Sequence, residues 1–153
     1  MTTAARTPRL LPPVYFLAFV VLMLILDVVA PLADVIPRPL RHVGTILIVA
    51  GALLSLSATL LFRRARTTIK PFRQSSALVR GGPYRVTRNP MYLGMVVALI
   101  GVAIRLGALT PFVVVPVFAW IIQTAFIQAE ERLLEQTFGA QYAQYRARVR
   151  RWL

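Results

Sequence analysis

Four runs of about twenty mainly apolar residues organise this chain of 153 residues. The first extends from about Val14 to Ala33 and is interrupted only by Asp27; the second, from about Val43 to Phe62, carries no charge. A third runs from about Met91 to Leu109 with Arg105 near its end, and a fourth from about Pro111 to Ala129. A hydrocarbon core of roughly 30 Å needs about 20 apolar helical residues to cross it. Lipid cannot hydrogen-bond the backbone, and the period-two alternation of a barrel strand is absent, so these segments are expected to be helices. The third and fourth, with almost nothing between them, read as a tight helical hairpin. The expected architecture is all-α: one integral membrane domain over residues 1–153, with about four transmembrane helices, a loop over 63–90 and a helical tail over 130–153.

Composition agrees with this reading. Hydrophobic residues make up 58% of the chain, and the mean hydropathy is +0.67, well above a soluble domain. The first run follows Arg6 and Arg9, but its apolar core is long for a secretory signal and no small-residue cleavage site follows, so it is expected to be a retained helix. There is no cysteine, which removes disulfides, thiolate nucleophiles and zinc–thiolate sites. The one histidine, His42, stands beside Arg41 at the start of the second run. No metal is expected.

The formal charge of +13 has a topological pattern. Arg6 and Arg9 precede the first run; Arg63, Arg64, Arg66, Lys70, Arg73, Arg80, Arg85 and Arg88 lie between the second and third; Arg132, Arg146, Arg148, Arg150 and Arg151 follow the fourth. The other side receives only Arg38, Arg41 and Arg105. By the positive-inside rule both termini and the central loop are cytoplasmic. Attraction to anionic membrane lipids accounts for the basic charge, and nucleic acid is not an expected partner. Short outer connections leave function at the cytoplasmic face or within the bilayer. Compact size and the absence of a processing signal favour a bacterial inner membrane.

Two stretches on the basic side are richer than an anchor requires. In SSALVRGGPYRVTRNPMYLG, Ser75 to Gly94, a Gly81-Gly82-Pro83 turn precedes Asn89, a natural N-cap, and Pro90, which opens a helix at little cost. The N-terminus of that helix is suited to an anionic group such as a carboxylate. In AEERLLEQTFGAQYAQYRARVRRWL, from Ala129, the acids Glu130 and Glu131 directly follow an apolar span. Charge there is costly unless it is paired or faces a polar pocket. Leu133, Leu134, Phe138, Tyr142 and Tyr145 recur at helical spacing before a basic end, as in a helix or helix pair lying against the membrane, with Gly139 as the interruption.

These two stretches together resemble the membrane methyltransferases typified by isoprenylcysteine carboxyl methyltransferase, with phospholipid methyltransferases as relatives. That pattern is a turn GxY, then RHPxYxG opening a helix, an apolar hairpin, EE, a later FG and a tyrosine-rich basic tail. Residues 67–153 follow it as GGPYRVTRNPMYLG, a hairpin, AEERLLEQTFGAQYAQY and RARVRRWL. The resemblance implies an enzyme that binds S-adenosylmethionine in a cytoplasm-facing pocket and methylates a lipophilic or membrane-embedded small acceptor. Carried over by position, cofactor contacts come from Ser76, Ala77, Leu78, Val79, Tyr84, Asn89, Pro90, Met91, Tyr92 and Glu130. Catalysis is expected to be mainly positioning, with Arg88, Asn89 and Glu130 as its candidates.

Two positions depart from the pattern. Asn89 stands where histidine is common and cannot serve as a titrating base. Phe126, four residues before Glu130, stands where the prenylcysteine enzymes place an arginine toward the acceptor, so a carboxylate acceptor loses its counter-ion. Two rival readings follow from other features: a small proton-coupled transporter using intramembrane Asp27 together with Arg105, and a non-catalytic membrane partner that keeps the fold.

Overall fold

The computed structural model describes residues 11–64 and 77–153. Among these residues six α-helices follow in order: α1 (Pro12–Val29), α2 (Arg41–Arg64), α3 (Pro90–Leu106), α4 (Thr110–Ile122), α5 (Gln128–Phe138) and α6 (Ala140–Arg148). No strand occurs among the described residues. Prolines open α1, α3 and α4 in their first turn, where their missing N–H costs nothing. The all-α membrane architecture expected from the apolar runs is the one observed. Pro12–Val29, Arg38–Arg64 and Thr110–Phe138 are each long and apolar enough to cross a membrane. Pro90–Leu106, at 17 residues, rises about 25 Å.

The boundaries differ from the expected ones for local reasons. Helix α1 stops at Val29, four residues before the expected end, because Pro31 disfavours helix in the residue before it. Helix α3 stops at Leu106 because Gly107 adopts the left-handed conformation (φ 93°) and caps it. The helix does not break at Glu130, where the fourth span was expected to give way to the tail. No breaker stands between Pro116 and Gly139, so α4 runs through a wide π-type turn, Gln123–Ile127, directly into α5. The extra residue in that turn shifts the register, re-aiming the side chains that follow.

Helix α3 is the centre of the bundle, packed along its length on α2 and on its other side against α4 and α1. The α2–α3 contact is a backbone approach. A methyl group on Gly51 would overlap the Gly94 carbonyl and lie 2.7 Å from the Ala98 nitrogen, and Gly44 meets Gly101 and Arg105 in the same way. Small residues at this spacing let two helices pack closely where lipid supplies no hydrophobic drive. Across α3, the core is aromatic: Phe19 and Phe16 meet the buried Phe118 edge-on at 5.3 and 6.4 Å. Leu17, Val28, Ile46, Leu53 and Trp120 face outward, as on a surface solvated by lipid.

At one end the two inter-helix turns are tied together. Val35 and Ile36 donate to the Gly107 carbonyl at 2.8 and 3.1 Å, Leu109 donates to Ala33 at 2.8 Å, and Arg41 pairs with Asp34. The other end carries the basic loop and α5–α6.

Candidate functional site

At that basic end a cleft is lined by Phe62 of α2, by Ala77, Leu78, Val79, Tyr84, Arg88 and Asn89 of the loop, by Met91 and Tyr92 of α3, by Glu130, Glu131 and Leu134 of α5, and by Tyr142 and Tyr145 of α6. Its volume is about 60 Å³, room for about two water molecules. Of the positions singled out from sequence, the structure brings Ala77, Leu78, Val79, Tyr84, Arg88, Asn89, Met91, Tyr92 and Glu130 to this one cleft. Pro90 is buried beside it as the first residue of α3, and Ser76 lies outside the described residues.

The floor is a carboxyl–phenol pair: the Tyr92 hydroxyl donates to Glu130 Oε1 at 2.6 Å. The two acids have different duties. Both line the cleft, but Glu130 is held by Tyr92, whereas Glu131 forms an ion pair with Arg88 Nη2 at 3.1 Å and accepts from Arg151 Nη2 and Nε at 2.7 and 3.2 Å. Their adjacency in a helix separates them by about 100°, so one meets the Tyr92 hydroxyl and the other the arginines of the loop and the basic tail.

The tail beyond α6 crosses the start of α3 as a strap. Arg88 N donates to Arg150 O at 2.9 Å, Thr87 Oγ1 and Asn89 Nδ2 both donate to Arg151 O at 3.1 and 3.0 Å, and Trp152 Nε1 donates to Gln123 Oε1 in the π-type turn at 2.8 Å. This corrects the reading of Asn89. It occupies the N-cap position, but its side chain makes no capping bond; its amide is committed to the strap.

Among the described residues, four buried polar atoms around the cleft find no hydrogen-bond partner: Tyr84 Oη, Tyr142 Oη, and Arg88 Nε and Nη1. Buried donors are costly when unpaired, and such a cluster is where a polar ligand is expected. Burial, with smaller contributions from Tyr145 and Glu130, holds the Tyr84 hydroxyl far above the ordinary tyrosine range. Burial raises Tyr142 from 10.0 to about 12, with Glu131 adding to the effect. Both are therefore neutral donors at physiological pH. Tyr145 donates to the Tyr84 carbonyl at 2.7 Å and so fixes α6 to the loop.

The tyrosines of α6, together with Phe62 and Glu131, were not singled out from sequence as ligand contacts. Tyr142 and Tyr145, three apart, share a helix face, a periodicity that packing explains equally well. Phe126 is fully buried, its ring 5.5 Å from Tyr15 and 6.5 Å from Tyr92. Asp27 lies near the opposite end of α1, three residues before Ala30, whose carbonyl accepts from Thr110 at the far turn. Among the described residues no ion pair joins it to Arg105.

The sequence profile of the phospholipid methyltransferase family matches residues 40–141. Protein-S-isoprenylcysteine O-methyltransferase B of Arabidopsis thaliana is 29% identical over 112 residues, which is 72% of this chain and 57% of that protein. Protein-S-isoprenylcysteine O-methyltransferase A of the same plant is 30% identical over 104 residues, 67% of this chain and 53% of that protein. The chain thus spans about half the length of these relatives. The solved eukaryotic intramembrane Ras methyltransferase, isoprenylcysteine carboxyl methyltransferase, superposes with a TM-score of 0.66 at 23% identity, covering 92% of this chain and 51% of that one. The fold is shared.

Proposed function

Because this chain belongs to the phospholipid methyltransferase family, we propose that it is an S-adenosylmethionine-dependent methyltransferase acting on a lipophilic, membrane-embedded acceptor at the cytoplasmic face. One observation carries the reading. The partnerless buried donors Tyr84 Oη, Tyr142 Oη, Arg88 Nε and Arg88 Nη1 line the same cleft as the Glu130 carboxyl. A ligand with a carboxylate at one end and hydroxyl or amine donors at the other matches that donor and acceptor set.

When bound, S-adenosylmethionine supplies a methyl group on a sulfonium whose leaving group is neutral, so positioning and exclusion of water supply much of the catalysis. Arg88, held at one edge by Glu131, presents its remaining N–H groups to a carboxylate. Glu130, oriented by Tyr92, accepts from hydroxyl or amine groups, and the rings of Tyr84 and Tyr92 border a cationic centre. The cleft at about 60 Å³ is smaller than the roughly 300 Å³ or more of small-molecule pockets, so its side chains part to admit the ligand.

Phe126, packed between Tyr15 and Tyr92, supplies no counter-ion, which favours an acceptor without a carboxylate. The excess of basic residues at the cleft end supports cytoplasmic termini, and the chain folds as a single membrane domain.

Calorimetric titration of S-adenosylmethionine and S-adenosylhomocysteine into detergent-purified protein tests the proposal. Saturable binding that falls at least about tenfold in Arg88→Met and in Glu130→Ala is expected, since each loses one charged hydrogen bond of roughly 1.5–3 kcal/mol. Well-folded wild type that binds neither compound would overturn the reading.

A further inference from the structure

A second concavity, of about 310 Å³, lies on the other side of Tyr145 from the cleft, lined by Arg80, Arg85, Gln144, Tyr145, Arg148 and Val149. Three arginines from two separate segments, the loop and the end of α6, line it, and no acid does. Of the three, Arg80 is engaged by Gln141 Oε1 at 3.2 Å; Arg85 and Arg148 make no ion pair among the described residues. The nearby acids are committed elsewhere, Glu131 to Arg88 and Arg151 and Glu135 to Arg146. Three like charges around one hollow gain nothing from packing, since their repulsion opposes it. What lowers the energy of the arrangement is an anion.

Depth narrows the chemistry. Arg85 closes the turn Gly82–Arg85, and the ring of Tyr84 in that turn lies 5.5 Å from Phe62, two residues before the end of α2 at Arg64. Two residues of helix rise about 3 Å, so the concavity is level with the end of an apolar span, where phospholipid phosphates lie. Guanidinium forks match phosphate oxygens in geometry as well as charge. We infer that the Arg80–Arg85–Arg148 concavity is a binding site for a phosphate group, supplied by an anionic lipid headgroup or by a dissolved phosphate. The site is separate from the methyl-transfer reading and stands without it.

The test is native mass spectrometry of the full chain released from a neutral detergent containing phosphatidylcholine and phosphatidylglycerol, with a parallel thermal-unfolding series in inorganic phosphate. The proteins are the wild type, Arg85→Gln/Arg148→Gln, and a control pair, Arg63→Gln/Arg132→Gln, that removes two other exposed arginines. Preferential retention of one phosphatidylglycerol by wild type and control is expected, weakened about thirtyfold in the pocket pair and about fivefold in each of its single variants. A rise in unfolding midpoint with inorganic phosphate in wild type and control but not in the pocket pair, without lipid retention, assigns the same site to a dissolved anion. Equal behaviour of all three proteins, or an equal loss in pocket and control pairs, reduces the effect to general surface charge and overturns the inference. The exposed positions of Arg85 and Arg148 leave folding intact, which the midpoint without anion verifies.

Discussion

Replacing Glu131 by alanine is the most direct test of how the basic tail builds the cleft. Its carboxylate forms an ion pair with Arg88 at 3.1 Å and accepts two guanidinium N–H groups from Arg151 at 2.7 and 3.2 Å. The Glu131 and Arg88 side chains are only 10% and 9% exposed, whereas Arg151 is 38% exposed. Alanine therefore strands Arg88, whose Nε and Nη1 already lack partners, while Arg151 regains water. Removing one member of a buried ion pair costs about 3–5 kcal/mol, and the exposure of Arg151 puts this case near 3 kcal/mol. For a chain of this size each kcal/mol moves the unfolding midpoint by roughly 2–4 °C, so a fall of about 6–12 °C is expected. The assay is thermal unfolding in mild detergent followed by tryptophan fluorescence, which includes Trp152 in the strap. Arg88→Met/Glu131→Leu, which removes both charges, should recover most of the loss, because a well-packed apolar pair avoids the desolvation penalty. A midpoint lowered by less than about 2 °C in the alanine variant, or no recovery in the double variant, would refute the argument.

Other consequences can be checked separately. Gly51→Val forces a side chain into the Gly94 carbonyl and should destabilise the chain by about 1–3 kcal/mol or more, whereas Leu53→Val on the outward face should not; denaturant unfolding in micelles compares them. Deleting residues 149–153 removes the strap's bonds to Thr87, Arg88, Asn89, Gln123 and Glu131. Ligand binding by calorimetry should then be lost while helix content by circular dichroism stays close to that of the intact chain. Burial raises Tyr142 and Tyr145 from 10.0 to about 12. The folded state thus holds these protons more tightly than the unfolded chain, and the stability they contribute is complete below pH 10 and lost as pH rises through 12. Unfolding midpoints measured from pH 7 to pH 12 should show tyrosine-linked loss only above 10.

The membrane architecture was determined by sequence alone, because hydrocarbon imposes a local rule: about twenty apolar residues without water must form a helix. The opening of α3 at Pro90 and the stop at Gly139 were local for the same reason, since proline and glycine act on their own backbone. The ordered series from Gly81 through Glu130 to the tyrosine-rich tail likewise marked the residues that meet at one cleft. Tertiary structure decided what spacing could not. Which of Glu130 and Glu131 pairs with Tyr92 and which with the arginines depends on the register set by the π-type turn and on where Arg88 and Arg151 arrive from distant segments. Asn89 has the composition of a cap, but the strap crossing α3 takes its amide instead. At Glu130 the polarity changes but the helix continues, because the backbone meets nothing to break it until Gly139. A helix ends where its hydrogen bonds are interrupted, whereas a membrane edge lies where the solvent changes, so a change of polarity in the sequence does not by itself end a helix, and only the folded chain shows where the backbone stops.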